Sequence, residues 1–287
     1  MRSVLFILLS IFLVNCSSKD QVKFIRNITM TNDFKDESSI IYGAVESSIV
    51  INNNKLTYLF DYGMNGNLSI LDNGYIEQLL NNARFSYIFK NNDTYYMFYT
   101  INNSIFLSKS YDLEFWIKIN NGKPVLNSKE NSNYKNIWNV GVTIDNNNVW
   151  HLLVEASADG NENAGLIYSY AELENDNIDF NKNINNNFII EKAGNPWVQY
   201  IDGKGLLTVY GKMNNGTWEV RAAIFSNGAW KESENFYVGA KDIAICDPHL
   251  IEFENKIYMT VSYDQVEVRQ IVADKTLSQL FDEILYE

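Results

Sequence analysis

The chain has 287 residues, of which 46% are hydrophobic and 14% aromatic, and its formal net charge is −12. That length suffices for one all-β domain of above-average size with a large core. No basic stripe is present to displace the counterions of a nucleic acid, and an acidic surface disfavours anionic membranes, so neither is expected as a direct partner.

Residues 1–15, MRSVLFILLSIFLVN, place one Arg before a short apolar run. That run has the length of a signal-peptide core and is too short to span a bilayer comfortably. Cys16 follows, then Ser17, Ser18, Lys19 and Asp20. The stretch Leu13-Val14-Asn15-Cys16 resembles a bacterial lipoprotein lipobox. The resemblance implies a signal peptide at 1–15 and lipidation of Cys16; an ordinary secretory signal with an incidental Cys is the other reading. The expected location is the bacterial cell envelope, outside the cytoplasm, with the membrane met only through the lipid anchor. Each buried CH₂ of an acyl chain adds roughly 0.8 kcal/mol, so more than one chain makes a firm anchor. With Cys16 lipidated, Cys246 has no intramolecular disulfide partner. Residues 16–40 read as a lipid-anchored tether, in which Val22–Met30 has strand character, and residues 41–287 as the folded domain.

From residue 40 to residue 265 one pattern recurs: a short apolar strand, a polar turn, then an aromatic-rich strand. The five copies are Glu46–Asp61, Arg84–Tyr99, Asn139–Val154, Asn195–Tyr210 and Asp247–Ser262. Their turns, near residues 53, 92, 147, 203 and 255, carry the Asn, Asp and Gly that tolerate positive φ. Repeats of this length, each with several strands, mark a propeller or a related radial array. A third strand can be read at Ser104–Ser110, Gly165–Ala171, Trp218–Phe225 and Val266–Ala273, with Trp116, Phe180 and Trp230 placed to pack between blades. Within the repeats only Tyr75–Asn82 reads as a helix. A terminal helix is expected at Leu277–Leu285, with Thr276 and Gln279 as a capping box. The expected fold is therefore all-β, a five-bladed β-propeller with a short C-terminal helix.

The phrases YYMFYT…LSKSYDLEFW and CDPHLIEFENKIYMTVSYD resemble the five-bladed β-propeller glycosidases: the arabinanase and xylosidase family, its fructan-processing relatives and the mannoside phosphorylases. The resemblance covers roughly residues 40–265. It implies that the start of each innermost strand lines a central funnel. It also implies three carboxylates: a base Asp in the first blade, a pKa-tuning Asp in the second and an acid Glu in the third. Cleaving a glycosidic bond needs one carboxyl to protonate the leaving oxygen and another to activate water or attack carbon. With Tyr58, Tyr96, Trp150, Leu206 and Tyr258 as anchors, stepping back about 11 or 12 residues gives Glu46, Arg84, Asn139, Asn195 and Asp247 as funnel positions. Glu46 falls where the base is expected. Arg84 or Ser86 stands in place of the second Asp, and Asn139 in place of the acid. Asp247-Pro248 matches the family's Asp-Pro strand opening, but in the fifth blade.

Two readings follow. One is a surface-anchored glycosidase-like enzyme acting on an extracytoplasmic glycan. In it Glu46 is the base and Asp247 its partner or the acid, with Glu155 or Glu219 as a further acid. Arg84, Asn139 and Asn195 clamp substrate, and Trp138 and Trp197 stack on sugar rings. The other reading is a glycan-binding propeller lipoprotein that has lost hydrolysis, in which Glu46 and Asp247 only cap strand ends. Glu155 and Glu219 equally suit outward-facing strand positions. A phosphorylase is a third reading and needs a basic pocket, for which Arg84 and Arg221 are on offer. In the family a central His lies near a bound calcium, and His249 is the match; a hydrogen-bonded core histidine is the blander account. Carbohydrate is the expected partner and a monomer the expected state. No cofactor is expected, with a structural calcium in the central channel left open. Asp112, in Ser110–Trp116, resembles a sialidase Asp-box without its Gly.

Overall fold

In the computed structural model, the described residues are 28–30, 34–63, 66–72, 75–81, 84–130, 133–158, 164–185 and 187–287. The expected signal peptide, Cys16 and most of the expected tether lie outside them. The fold is a five-bladed β-propeller with a single C-terminal helix.

Each blade is an antiparallel sheet that runs outward from the central axis. The innermost strands are Ala44–Asn52, Arg84–Asn91, Asn136–Ile144, Ala193–Ile201 and Ile245–Phe253, in blades 1 to 5. Each touches the next around the ring, and blade 5 returns to blade 1. The second strands, Lys55–Tyr62, Thr94–Ile101, Val149–Ser157, Gly205–Asn214 and Lys256–Tyr263, pair with them through the expected hairpins. Asn53, Asn54, Asn92, Asn148, Gly203, Glu254 and Asn255 adopt the positive φ those turns need.

Strand pairing starts within the stretch expected as tether. Phe34–Tyr42 is the outermost strand of blade 5, in register with Glu267–Ala273. Ile28–Met30 pairs with Val238–Ala240 on blade 4. The last blade is thus completed by the beginning of the chain, and main-chain hydrogen bonds close the ring. The segment that reads as a helix, Tyr75–Asn82, is instead the edge strand Tyr75–Leu80, paired with Leu68–Asp72. Pairing with an exposed blade edge outweighs the weak helical preference of six residues.

The blades pack through aromatics, as expected. Trp116 joins Tyr99 and Leu113 between blades 1 and 2. Phe180 meets Phe98 edge-on between blades 2 and 3, and Trp230 meets Tyr168 between blades 3 and 4. The Asp-box-like Asp112 forms a turn: its carboxylate accepts from Glu114 N and Phe115 N, both at 2.9 Å, which holds it below the usual carboxylate range. The helix Leu277–Tyr286 buries Leu277, Leu280, Phe281 and Ile284 in the main core. Its first turn carries the expected capping box: Thr276 accepts from Gln279 N, and the Gln279 side chain accepts from Thr276 N. Glu252 further accepts from Leu277 N at 2.8 Å. Thr276→Ala is expected to lower stability by about 1 kcal/mol, read by urea denaturation.

Candidate functional site

All five innermost strands break register at the same height. The interruptions fall between Val45 and Ser48, Arg84 and Tyr87, Ile137 and Val140, Gly194 and Trp197, and Cys246 and His249. A β-bulge of this kind re-aims side chains and frees backbone groups from the ladder. The first bulge residue is Glu46, Phe85, Asn195 and Asp247 in blades 1, 2, 4 and 5, each with φ between 50° and 54°. Glu and Phe adopt this conformation at a cost of about 1–3 kcal/mol, sustained only where the surroundings fix it.

Those surroundings are on the neighbouring blades. The Phe85 N–H donates to Glu46 Oε2 at 2.9 Å, and the Asn195 N–H to Glu155 Oε2 at 3.1 Å. The Glu46 N–H donates to Ser262 Oγ at 3.2 Å. Three freed N–H groups are each accepted by a side chain of the preceding blade, so the bulges tie the ring together where they line it.

Inside this collar is a cavity of about 330 Å³, at the small end of ligand sites. Its walls include Glu46, Asp61, Arg84, Phe85, Asn139, Asn195, Trp218, Cys246, Asp247 and Gln265. Glu46 and Asp247 face one another electrostatically. Burial, then the Asp247 charge, pushes Glu46 up to about 8. Burial also raises Asp247, against the hydrogen bonds from Ser262, Cys246 and the Glu46 backbone that favour its charged form. Burial disfavours the charged form of both carboxyls, and the Asp247 charge adds to the rise of Glu46, so the two titrate as a coupled pair. Asp61 is engaged otherwise: it accepts from Gly66 N at 3.0 and 2.8 Å and from Asn67 N at 3.1 Å. Gly66 has φ 72°, and a Cβ there would stand 2.5 Å from Arg84 Cγ, so Gly66 gives Arg84 its place on the wall.

Of the residues expected here, Glu46, Arg84, Asn139, Asn195 and Asp247 converge on the cavity. Within their strands Arg84 stands just before the blade 2 bulge, whose first residue is Phe85, and Asn139 is the second residue of the blade 3 bulge, after Trp138. Trp138 is half-buried in the bulge, its carbonyl accepting from Thr100 Oγ1, and it is not part of the cavity wall. Trp197 is 2% exposed and packs in the core, so it offers no face to a sugar in the funnel. Trp218, on the third strand of blade 4, is the aromatic that lines the cavity.

His249 lies below the funnel rather than in its wall. It is 4% exposed, packs on the Tyr87 ring at 5.0 Å, and its Nδ1 accepts from Ile49 N at 3.3 Å. Burial lowers it to about 3, so it is neutral. It borders the cavity of about 580 Å³ at the opposite mouth, together with Tyr87, Phe89, Trp197 and Tyr200. Among the described residues, no group of three or more His, Cys, Asp or Glu side chains is arranged to hold a metal.

Glu155 points inward, against Gly194. A Cβ at Gly194 would stand 2.5 Å from its carboxylate. It accepts from Asn139 Nδ2 at 2.7 Å, and Asn139 in turn donates to Asn195. Burial raises Glu155 to about 7. It sits behind the two Asn rather than in the wall and orients them. Glu219 is bound to Arg221 at 2.7 Å, beside a different surface cavity. Arg221 is therefore not available to the funnel, which leaves Arg84 as the one cation among the wall residues.

The described residues thus form a five-bladed β-propeller whose innermost strands carry a collar of bulges around a polar funnel. No protein-family model matches the chain, and no curated protein matches it. Solved structures do. The endo-arabinase from Bacteroides thetaiotaomicron aligns with a TM-score of 0.61 at 12% identity, covering 84% of this chain and 98% of that one. An α-L-arabinofuranosidase from Podospora anserina in complex with cellotriose aligns at 0.61 and 13% identity, covering 86% and 96%. A thermostable family-43 glycoside hydrolase aligns at 0.60 and 11% identity, covering 85% and 92%. Identities this low establish the shared fold alone.

Proposed function

We propose that this protein is a glycoside hydrolase-like enzyme that acts on a glycan outside the cytoplasm, held at the envelope through Cys16. The observation that carries the reading is the Glu46–Asp247 carboxyl pair at the bulge collar, facing a cavity of sugar-binding size. Burial and the Asp247 charge favour the protonated form of Glu46, pushed up to about 8, which suits the acid's role rather than the base's. Glu46 donates the proton to the leaving glycosidic oxygen, and Asp247, ionised, takes a proton from the water that attacks the anomeric carbon. One water is consumed, one C–O bond breaks and one forms. Arg84, Asn139 and Asn195 offer polar contacts to sugar hydroxyls, and Trp218 an aromatic face.

A second reading has support of its own. Glu46 Oε2 already accepts the Phe85 N–H, the bond expected of a strand-end cap, and this favours a propeller that only binds glycan. The phosphorylase reading fares worse: Arg84 alone among the wall residues faces Glu46, Asp61 and Asp247, a field that repels phosphate. Incubating the protein with a panel of aryl glycosides and plant and microbial polysaccharides, with reducing-end release as readout, tests hydrolysis. A glycan array on the same protein tests binding. Release that vanishes in Asp247→Asn supports the enzyme. Array binding without release, unchanged in that variant, supports the binding protein.

A further inference from the structure

We infer that Ser262 is a positioning residue of the carboxyl pair, its hydroxyl joining Asp247 to the backbone of Glu46 across the seam where the ring closes. The inference takes the importance of the pair from the hydrolytic reading and adds a residue to it.

Ser262 lies on the second strand of blade 5, directly opposite Cys246 in the ladder, and is completely buried. It is not part of the cavity wall, so it reaches a substrate only through its neighbours. Its Oγ accepts the Glu46 N–H at 3.2 Å, across 216 residues of sequence. A hydroxyl that accepts on one side has its own proton to direct elsewhere, and the Asp247 carboxylate receives it. The Glu46 N–H is available because the bulge has removed it from the ladder between Val45 and Ser48. Glu46 holds φ 54° there, a conformation that needs an external anchor. Ser262 supplies the anchor and orients Asp247 with the same group.

Asp247 has two further donors: the Glu46 N–H, which Ser262 also holds, and the Cys246 thiol, at 3.5 Å from Oδ2. The thiol is a weak donor and the Glu46 N–H is shared with Ser262, so the hydroxyl makes the largest contribution to the charged form of Asp247. The geometry also gives the seam between the first and last blades a chemical role. The distance from Glu46 to Asp247 is set where blade 5, completed by Phe34–Tyr42, meets blade 1.

The test is a carboxyl ¹³C NMR titration of Asp247 in the wild type, Ser262→Ala and Ser169→Ala. Ser169 is an equally buried serine in blade 3, donating to the Phe180 carbonyl at 2.6 Å, and it reports general loosening of the core. Ser262→Ala is expected to move the Asp247 midpoint upward by about one to two pH units, because the charged form loses its strongest donor. Ser169→Ala is expected to leave it in place. An Asp247 midpoint unchanged in Ser262→Ala overturns the inference, and so does an equal movement in the Ser169 variant. The titration needs no turnover, so a chain that hydrolyses nothing still passes or fails it.

Discussion

Glu46→Gln is expected to melt well above the wild type at pH 8 and close to it at pH 5. Burial and the Asp247 charge raise Glu46 from its ordinary value of 4.5 to about 8. Between those values the folded protein keeps a proton that the unfolded chain releases. The native state then binds more protons than the unfolded one, so stability falls as pH rises through the window. The contribution is fully present below pH 4.5 and lost above about 8. The amide cannot ionise, so the variant escapes that loss, and its carbonyl oxygen still accepts the Phe85 N–H. Water in the cavity and the shared titration with Asp247 reduce the ideal value, leaving about 2–4 kcal/mol at pH 8. For a chain of this size that is a rise of roughly 5–15 °C. Differential scanning calorimetry at the two pH values decides. A variant that melts below the wild type at both shows that no buried charge burdens Glu46 at pH 8 and that the carboxyl holds the fold in a way the amide does not replace.

Much of the fold was legible because a propeller repeats its local signals. A turn built from Asn, Asp, Glu or Gly recurs once per blade, and each flanking pair of apolar runs forms the hairpin it suggests. Closure was less visible. Nothing local in Phe34–Tyr42 says that its partner lies more than two hundred residues away, in Glu267–Ala273. Non-local pairing leaves no periodic mark beyond the strand itself.

The site was half legible for a related reason. Glu46, Asn195 and Asp247 were found by stepping back a fixed number of residues from the second strand, and the bulge occurs at nearly constant distance in those blades. In blades 2 and 3 the same step reaches Arg84, just before the bulge, and Asn139, its second residue, and both line the cavity because the bulge interrupts the strand's alternation. Trp197 was misread on the same account: it follows the bulge, where alternation resumes with the opposite phase, and its ring turns into the core. Trp218 and Ser262 left no signal, since both come from second and third strands whose relation to the funnel is tertiary. Glu155 was on the page as an acid in an apolar strand, but its inward aim depends on the bare space above Gly194 in the next blade.

Asp247→Asn is expected to lower kcat/KM by about 10³-fold on any glycan the protein hydrolyses, with binding of that glycan retained. General acid–base groups contribute about 10²–10⁴ each, and Asn keeps the shape of Asp247 and one accepting oxygen without its basicity. Glu46→Gln removes the proton donor and is expected to cost a similar factor, less for an aryl glycoside, whose leaving group needs little protonation. The pH profile carries the role assignment. If Glu46 supplies the proton, the rate falls on the alkaline side as the carboxyl near 8 ionises. On the acid side it falls where Asp247, raised above its ordinary 3.8, takes up a proton. The limbs belong to the pair as a unit, because the two acids titrate together. With an aryl glycoside of a good leaving group, the alkaline limb flattens while the acid limb stays, since only the base is then required. An alkaline limb that stays for such a substrate shows that the group ionising there is not the proton donor. Hydrolysis equal in Asp247→Asn and the wild type removes the pair from the chemistry altogether and leaves the bulge collar as architecture.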